Sequence, residues 1–135
     1  MPGAFEYGGV RQRQPYPSED AFFKDSPHVA GMATEDNAVA LNPYSGLPPE
    51  GQEAVARNEA ARVWMRRPEW QPNVEMTPQQ QSQFSSYGQP VDQQSTIIAR
   101  LISGDTSAGQ PTQQQLEFAQ RLASAMGRHD MKDTP

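Results

Sequence analysis

Apolar residues recur at helical spacing only after Leu47; the first 46 residues show no sustained period. The stretch GQEAVARNEAARVWMRR runs without a breaker to Pro68 and sets Val55, Ala56, Ala60, Val63 and Trp64 on one narrow stripe. Pro48, Pro49 and Glu50 form a helix start, because proline is tolerated in the first turn and an acid suits the positive end of the dipole. Glu53 and Arg57 make an i,i+4 pair, and Arg62, Arg66 and Arg67 lie at the end where cations are favoured. The pattern predicts a long helix over about 48–67, followed by the proline-bounded connector Pro68-Glu69-Trp70-Gln71-Pro72. Thr77-Pro78-Gln79-Gln80 then opens a short helix, with threonine as N-cap, proline at the first position and glutamine at the capping-box position. Gly88 is its natural stop, just after Tyr87.

The next two elements are written almost alike. GQPVDQQSTIIARLIS starts at Gly88 and GQPTQQQLEFAQRLAS at Gly109, an offset of 21 residues. In each copy glycine closes one segment, proline opens a helix and a Gln-Gln pair covers what should be an exposed first turn. The first copy predicts a helix over about 90–103 with Val91, Ile97, Ile98, Leu101 and Ile102 as its stripe, ended by Gly104. The second predicts a helix over about 111–126 with Leu116, Ala119, Leu122, Ala123 and Met126, ended by Gly127. The short link from Gly104 to Gln110 suits a helical hairpin. Two copies are too few for a solenoid, which needs about three units.

Residues 1–46 read as an extended arm. Pro2, Pro15, Pro17, Pro27 and Pro43 interrupt any helix, apart from one turn over 18–24 that Ser18 could cap. Six of the eleven aromatic residues nevertheless lie here: Phe5, Tyr7, Tyr16, Phe22, Phe23 and Tyr44. Linkers are poor in aromatics, so these rings need a surface to cover. Either they fold back on the chain's own helices or they anchor the arm on another subunit. With Trp64 and Trp70 they form the candidate partner-binding set. The chain divides into the arm (1–46), the long helix and its connector (47–76), a small helical unit (77–127) and a tail (128–135). The expected fold is mainly α.

Composition narrows what such a chain can be. Leu, Ile, Val and Phe are 20 of 135 residues and the mean hydropathy is -0.82, so little apolar surface is available for a core. The net charge of -5 is too small to swell the chain into a coil. Cysteine is absent, which removes disulfides, thiolate nucleophiles and cysteine-based zinc sites, and a thin core without staples points to an intracellular setting. No apolar run has the length of a signal peptide or a membrane span. A pI of about 4.9 argues against a dedicated nucleic-acid binder.

Little chemistry is written into the chain. His28 and His129 have no partner at ligand spacing, so no metal or other cofactor is expected. Gly104-Asp105-Thr106-Ser107-Ala108-Gly109 has the flavour of a phosphate loop, but no strand precedes it and no Lys-Ser/Thr pair follows. No serine has a base and an acid at a helpful spacing, so an enzyme is not expected. Arg57, Arg62, Arg66 and Arg67 with Trp64 and Trp70 are the one basic-aromatic cluster, and such a mixture can stack on a single nucleic-acid strand. Glu53, Glu59 and Glu69 dilute its field, which favours a helix-supporting role.

The segment AVALNPYSGLPPEGQEAVARNEAARVWMRR, with FSSYGQP and TIIARLISGDTSAG, resembles small virion-associated proteins of tailed bacteriophages over roughly residues 36–127. The resemblance carries no functional residue. It implies a non-enzymatic structural part of the particle, a capsid decoration or cement protein or a head-tail adaptor. Such a protein is made in the host cytoplasm, assembles in many copies and contacts capsid or portal subunits. Nucleic acid and membrane are not expected partners. The alternative is a small binding protein that contacts single-stranded nucleic acid or a host protein.

Overall fold

Tyr7 and Val10 face each other across Gly8 and Gly9, whose φ values of 61° and 76° allow the tight turn between β1 (Glu6–Tyr7) and β2 (Val10–Arg13). Two successive left-handed residues match the right-handed twist of the strands they join. Gly8 has a second reason to be glycine. A Cβ there would lie 2.6 Å from Trp64 Nε1 and 2.9 Å from Met126 Cβ, while its carbonyl accepts the indole N–H at 2.8 Å.

The computed structural model describes residues 6–86, 88–104 and 109–132. Helix α1 (Pro17–Asp25) follows β2, and β3 (Gly31–Ala33) and β4 (Val39–Leu41) form a second hairpin. Its loop is closed by Asn37 at φ 59° and by Thr34, whose backbone N–H donates to the Ala38 carbonyl and whose Oγ1 accepts the Ala38 N–H. The sheet order is β1-β2-β4-β3, with β4 parallel to β2 and antiparallel to β3.

Described residues 6–46 are therefore not the extended arm that the sequence suggested. They are a four-stranded sheet carrying a helix, although the chain as a whole remains mainly helical. Strands of two to four residues are too short to show an alternating period. The first turn of α1 uses Tyr16 as N-cap rather than Ser18, with Glu19 Oε1 accepting the Tyr16 N–H at 2.8 Å.

Helix α2 (Pro49–Trp64) lies between the sheet and α4 (Pro90–Ser103). It ends earlier than expected because Arg66 and Arg67 bond to the carbonyls of Val63 and Trp64, tightening the last turn before Pro68. Ala56, Ala60 and Ala61 are buried on α2, and their small size lets its neighbours approach closely. Helix α3 (Pro78–Gln83) is short, and α4 has its expected bounds, closed by Gly104 at φ 82°.

Helix α5 (Gln113–Lys132) departs from expectation at both ends. It begins after Thr112, which with Gln115 forms a capping box, and it passes through Gly127 instead of stopping there. An interior glycine costs a helix about 1 kcal/mol, too little to end it when the flanking residues are good helix formers. The buried stripe is Gln115, Phe118, Ala119, Leu122 and Met126. Leu116 is half-buried and Ala123 exposed, because Phe118 turns in to meet Trp70 edge-on at 5.9 Å. On α4, Thr96, Ile97, Ile98 and Ala99 are buried, while Val91 faces out.

The repeat acquires a physical meaning here. Gln94 and Gln115 occupy equivalent positions, and both hold the connector between α2 and α3. Val74 N donates to Gln94 Oε1 at 3.1 Å, Gln115 Nε2 donates to the Glu75 carbonyl at 2.9 Å, and Glu75 N donates to Gln114 Oε1 at 3.0 Å. The paired glutamines of the repeat are thus only partly solvent-facing cover: Gln114 is exposed, Gln93 and Gln94 are half-buried, and Gln115 is fully buried.

Candidate docking surface

The eight aromatics proposed to bind a partner separate into two groups, with Phe5 outside the described residues. Phe23 is completely buried, and Trp64 is 5% exposed. Trp70 meets Trp64 edge-on at 6.1 Å. Tyr7 packs against the same core with the Arg57 guanidinium 5.5 Å from its ring. These four fold back on the chain. Tyr16, Phe22 and Tyr44 are 52%, 48% and 44% exposed, and all three lie on α1 or are bonded to it.

Each exposed ring at an end of this helix is held in place. Arg13, at the end of β2, donates to both oxygens of Glu19 at 2.7 and 2.9 Å and to both oxygens of Asp36 at 3.1 and 2.7 Å. It also donates to the Gln14 carbonyl and lies 3.6 Å over the Tyr16 ring. One guanidinium therefore ties together a strand end, a helix N-terminus and the β3–β4 loop. The hydrogen bonds from Arg13 hold the Asp36 and Glu19 carboxyls below their ordinary range and raise Arg13 above its own.

At the other end, buried Asn42 donates from Nδ2 to the carbonyls of Phe23, Ser26 and Val29, while its Oδ1 accepts the Tyr44 N–H at 2.8 Å. The Tyr44 hydroxyl then reaches back to Asp20 Oδ2 at 3.0 Å, and this bond to a carboxylate raises the phenol's pKa. Nothing in the sequence marked Arg13, Asp36 or Asn42. Their partners lie up to 23 residues away, so only the fold brings them together.

The arginine-tryptophan cluster is spent on the fold. Arg66 donates to the Thr34 and Ala33 carbonyls and to Asn37 Oδ1, finishing the outer edge of β3. Arg62 bonds Asn58 and Thr96, joining α2 to α4. Arg67 covers the Trp64 ring at 4.3 Å. Beside them Glu59 is pushed up by burial, an effect partly offset by Arg62 at 3.8 Å and by a bond to the Ala33 backbone.

A hollow of about 310 Å³ opens between the sheet and the start of α2, lined by Tyr7, Leu41, Pro49 and Ala56 with Glu50 and Glu53 at its rim. A wider groove of about 710 Å³ runs from β3 over Glu59 and Arg62 to Asp92 and Thr96 on α4. Neither hollow is lined by histidine. Among the described residues no group of three His, Asp or Glu side chains could hold a metal ion, and no helix is long and apolar enough to cross a membrane.

No family model, curated protein or solved structure matches this chain. The geometry of α1 and its surroundings therefore carries the functional reading.

Proposed function

We propose that this chain is a non-enzymatic structural subunit of a phage particle, which docks on neighbouring virion proteins through the surface built around α1. The observation that carries the reading is the placement of Tyr16, Phe22 and Tyr44: three of the four large apolar side chains exposed among the described residues belong to this one short helix and its bonded neighbour. Rings held in fixed orientations lose little entropy on docking, and aromatic side chains dominate the energetic centres of protein interfaces. The resemblance of residues 36–127 to small virion-associated proteins supplies the setting, either a capsid decoration or cement protein or a head-tail adaptor. In that setting the chain is present in many copies and resides in the virion.

Quantitative mass spectrometry of particles purified from the phage that encodes the chain tests the reading. Several copies per particle are expected. A chain abundant in infected cells and missing from the particles rules out the structural role.

A further inference from the structure

The shape and charge of α1 indicate what kind of surface receives it, given the proposed role as a docking subunit. With about 100° of turn per residue, the buried Phe23 sets the inward direction. Asp20 lies on one flank of that line and Phe22 on the other, about 160° away around the helix. Tyr44 is bonded to Asp20 and so belongs to the Asp20 flank. The outward crest between the two rings carries Ser18, Ala21 and Asp25, all exposed. Helix α1 is thus a ridge with a low crest and an exposed ring on each side. A flat surface would reach one ring and miss the other. A groove wide enough to admit the helix would receive both, with its floor close to Ser18 and Ala21.

The charges around the ridge select the partner. Between Arg13 and Tyr44 the chain carries five carboxylates against two cationic side chains, Arg13 and Lys24. Arg13 is committed to Glu19 and Asp36, so the remaining charges of this segment are the single cation Lys24 against Asp20, Asp25 and Glu35. Glu35 lines a hollow with Tyr16 and Ser18, so an acid borders the start of the crest. We propose that α1 seats as a ridge in a groove of a neighbouring virion protein whose walls are apolar and whose rim is basic, Phe22 against one wall and Tyr44 against the other. Nucleic acid has the wrong sign for this surface.

A photoreactive benzoylphenylalanine placed at Phe22, at Ser18 or at Val91 on α4, each in the full-length chain, tests the seat in purified particles. All three positions accept a larger side chain at the surface. Cross-links from positions 22 and 18 to one and the same virion protein, and none from 91, are expected. In competition with the unmodified chain during assembly, the double variant Asp25→Lys/Glu35→Lys should be incorporated about tenfold less, since like charges facing each other across an interface cost this much or more. An unchanged melting curve shows that the variant is folded. Cross-links from 91 alone, or full incorporation of the folded charge-reversed chain, overturn the ridge while leaving the virion role intact. Cross-links from 22 to DNA overturn it as well. A chain absent from the particles removes the virion role first, and the seat with it.

Discussion

Gln80 and Gln115 face each other as a closed amide pair: Gln80 Nε2 donates to Gln115 Oε1 at 2.9 Å, and Gln115 Nε2 donates to Gln80 Oε1 at 2.7 Å. Each oxygen also accepts the backbone N–H of its own N-cap, Thr77 or Thr112, and each cap hydroxyl accepts the N–H of its glutamine. Two capping boxes are thereby joined through their glutamines, so that α3 and α5 start at one shared, buried polar point. Buried amides are stable there because their partners are present, and costly if one partner is removed.

Replacing Gln115 by Ala should therefore destabilise the chain by about 1–3 kcal/mol for the stranded amide of Gln80. Loss of the cap adds about 0.5–2 kcal/mol. The double variant Gln80→Ala/Gln115→Ala should cost less than the two single changes together, by about 1 kcal/mol. Urea midpoints of the four proteins measure the coupling, and strict additivity would show that the pair is not a unit.

Gly8→Ala is expected to be among the most damaging small substitutions. Its φ of 61° disfavours any side chain, and the added methyl would sit 2.6 Å from Trp64 Nε1 and 2.9 Å from Met126. A loss of more than about 1 kcal/mol is expected where both strain and overlap apply. Gly104→Ala is the matched control: its φ is 82°, but nothing among the described residues lies within 4 Å of the new methyl, so only the left-handed conformation is penalised, by about 1 kcal/mol. Thermal melts followed by tryptophan fluorescence separate the two, because only Gly8 touches Trp64. Equal losses would refute the overlap.

The two leucines matched by the repeat should behave differently. Leu122 is fully buried in the main core, and Leu122→Ala should cost about 2–5 kcal/mol. Leu101 is half-buried at the border with the small Phe84–Ile97 cluster, so Leu101→Ala should cost clearly less. Denaturation of both variants in parallel decides it.

Acid should act on the chain through two opposing groups. Asp36 and Glu19 are held low in the folded protein by their bonds to Arg13. Their stabilisation is complete above the ordinary carboxylate range near about pH 4 and fades as pH falls through their lowered values. Glu59 is raised by burial, so its contribution has the reverse sign. It weakens the fold as pH climbs from the ordinary glutamate value of about 4.3 through its own raised value. Asp36→Asn should flatten the acid limb of the stability curve, and Glu59→Gln should remove a decline on the neutral side. Urea midpoints against pH for the three proteins show whether each limb moves separately.

The sequence by itself determined α2, α3 and α4, whose signals lie within one turn of chain, but not the ends of α5. Pro90 and Gly104 bound α4, Thr77 and Gln80 cap α3, and the apolar stripe from Val55 to Trp64 makes α2, because capping and helical periodicity are local and act through neighbours three or four residues away. The turn at Gly8-Gly9 was missed, because the prolines and glycines around it pointed to an extended arm and strands of two to four residues show no period. Tertiary structure decided the rest. Which rings turn inward depends on what lies opposite them: adjacent Phe22 and Phe23 end at 48% and 0% exposure because one side of α1 meets the protein and the other does not. The sheet exists because β2 finds β4 across more than twenty residues, and Arg13 finds Asp36 by the same route. The 21-residue repeat is visible in the sequence, but its purpose became readable only when Gln94 and Gln115 were seen to hold the same connector. Side-chain amides carry no period and no charge, so only the backbone groups that the fold brings opposite them can assign their role.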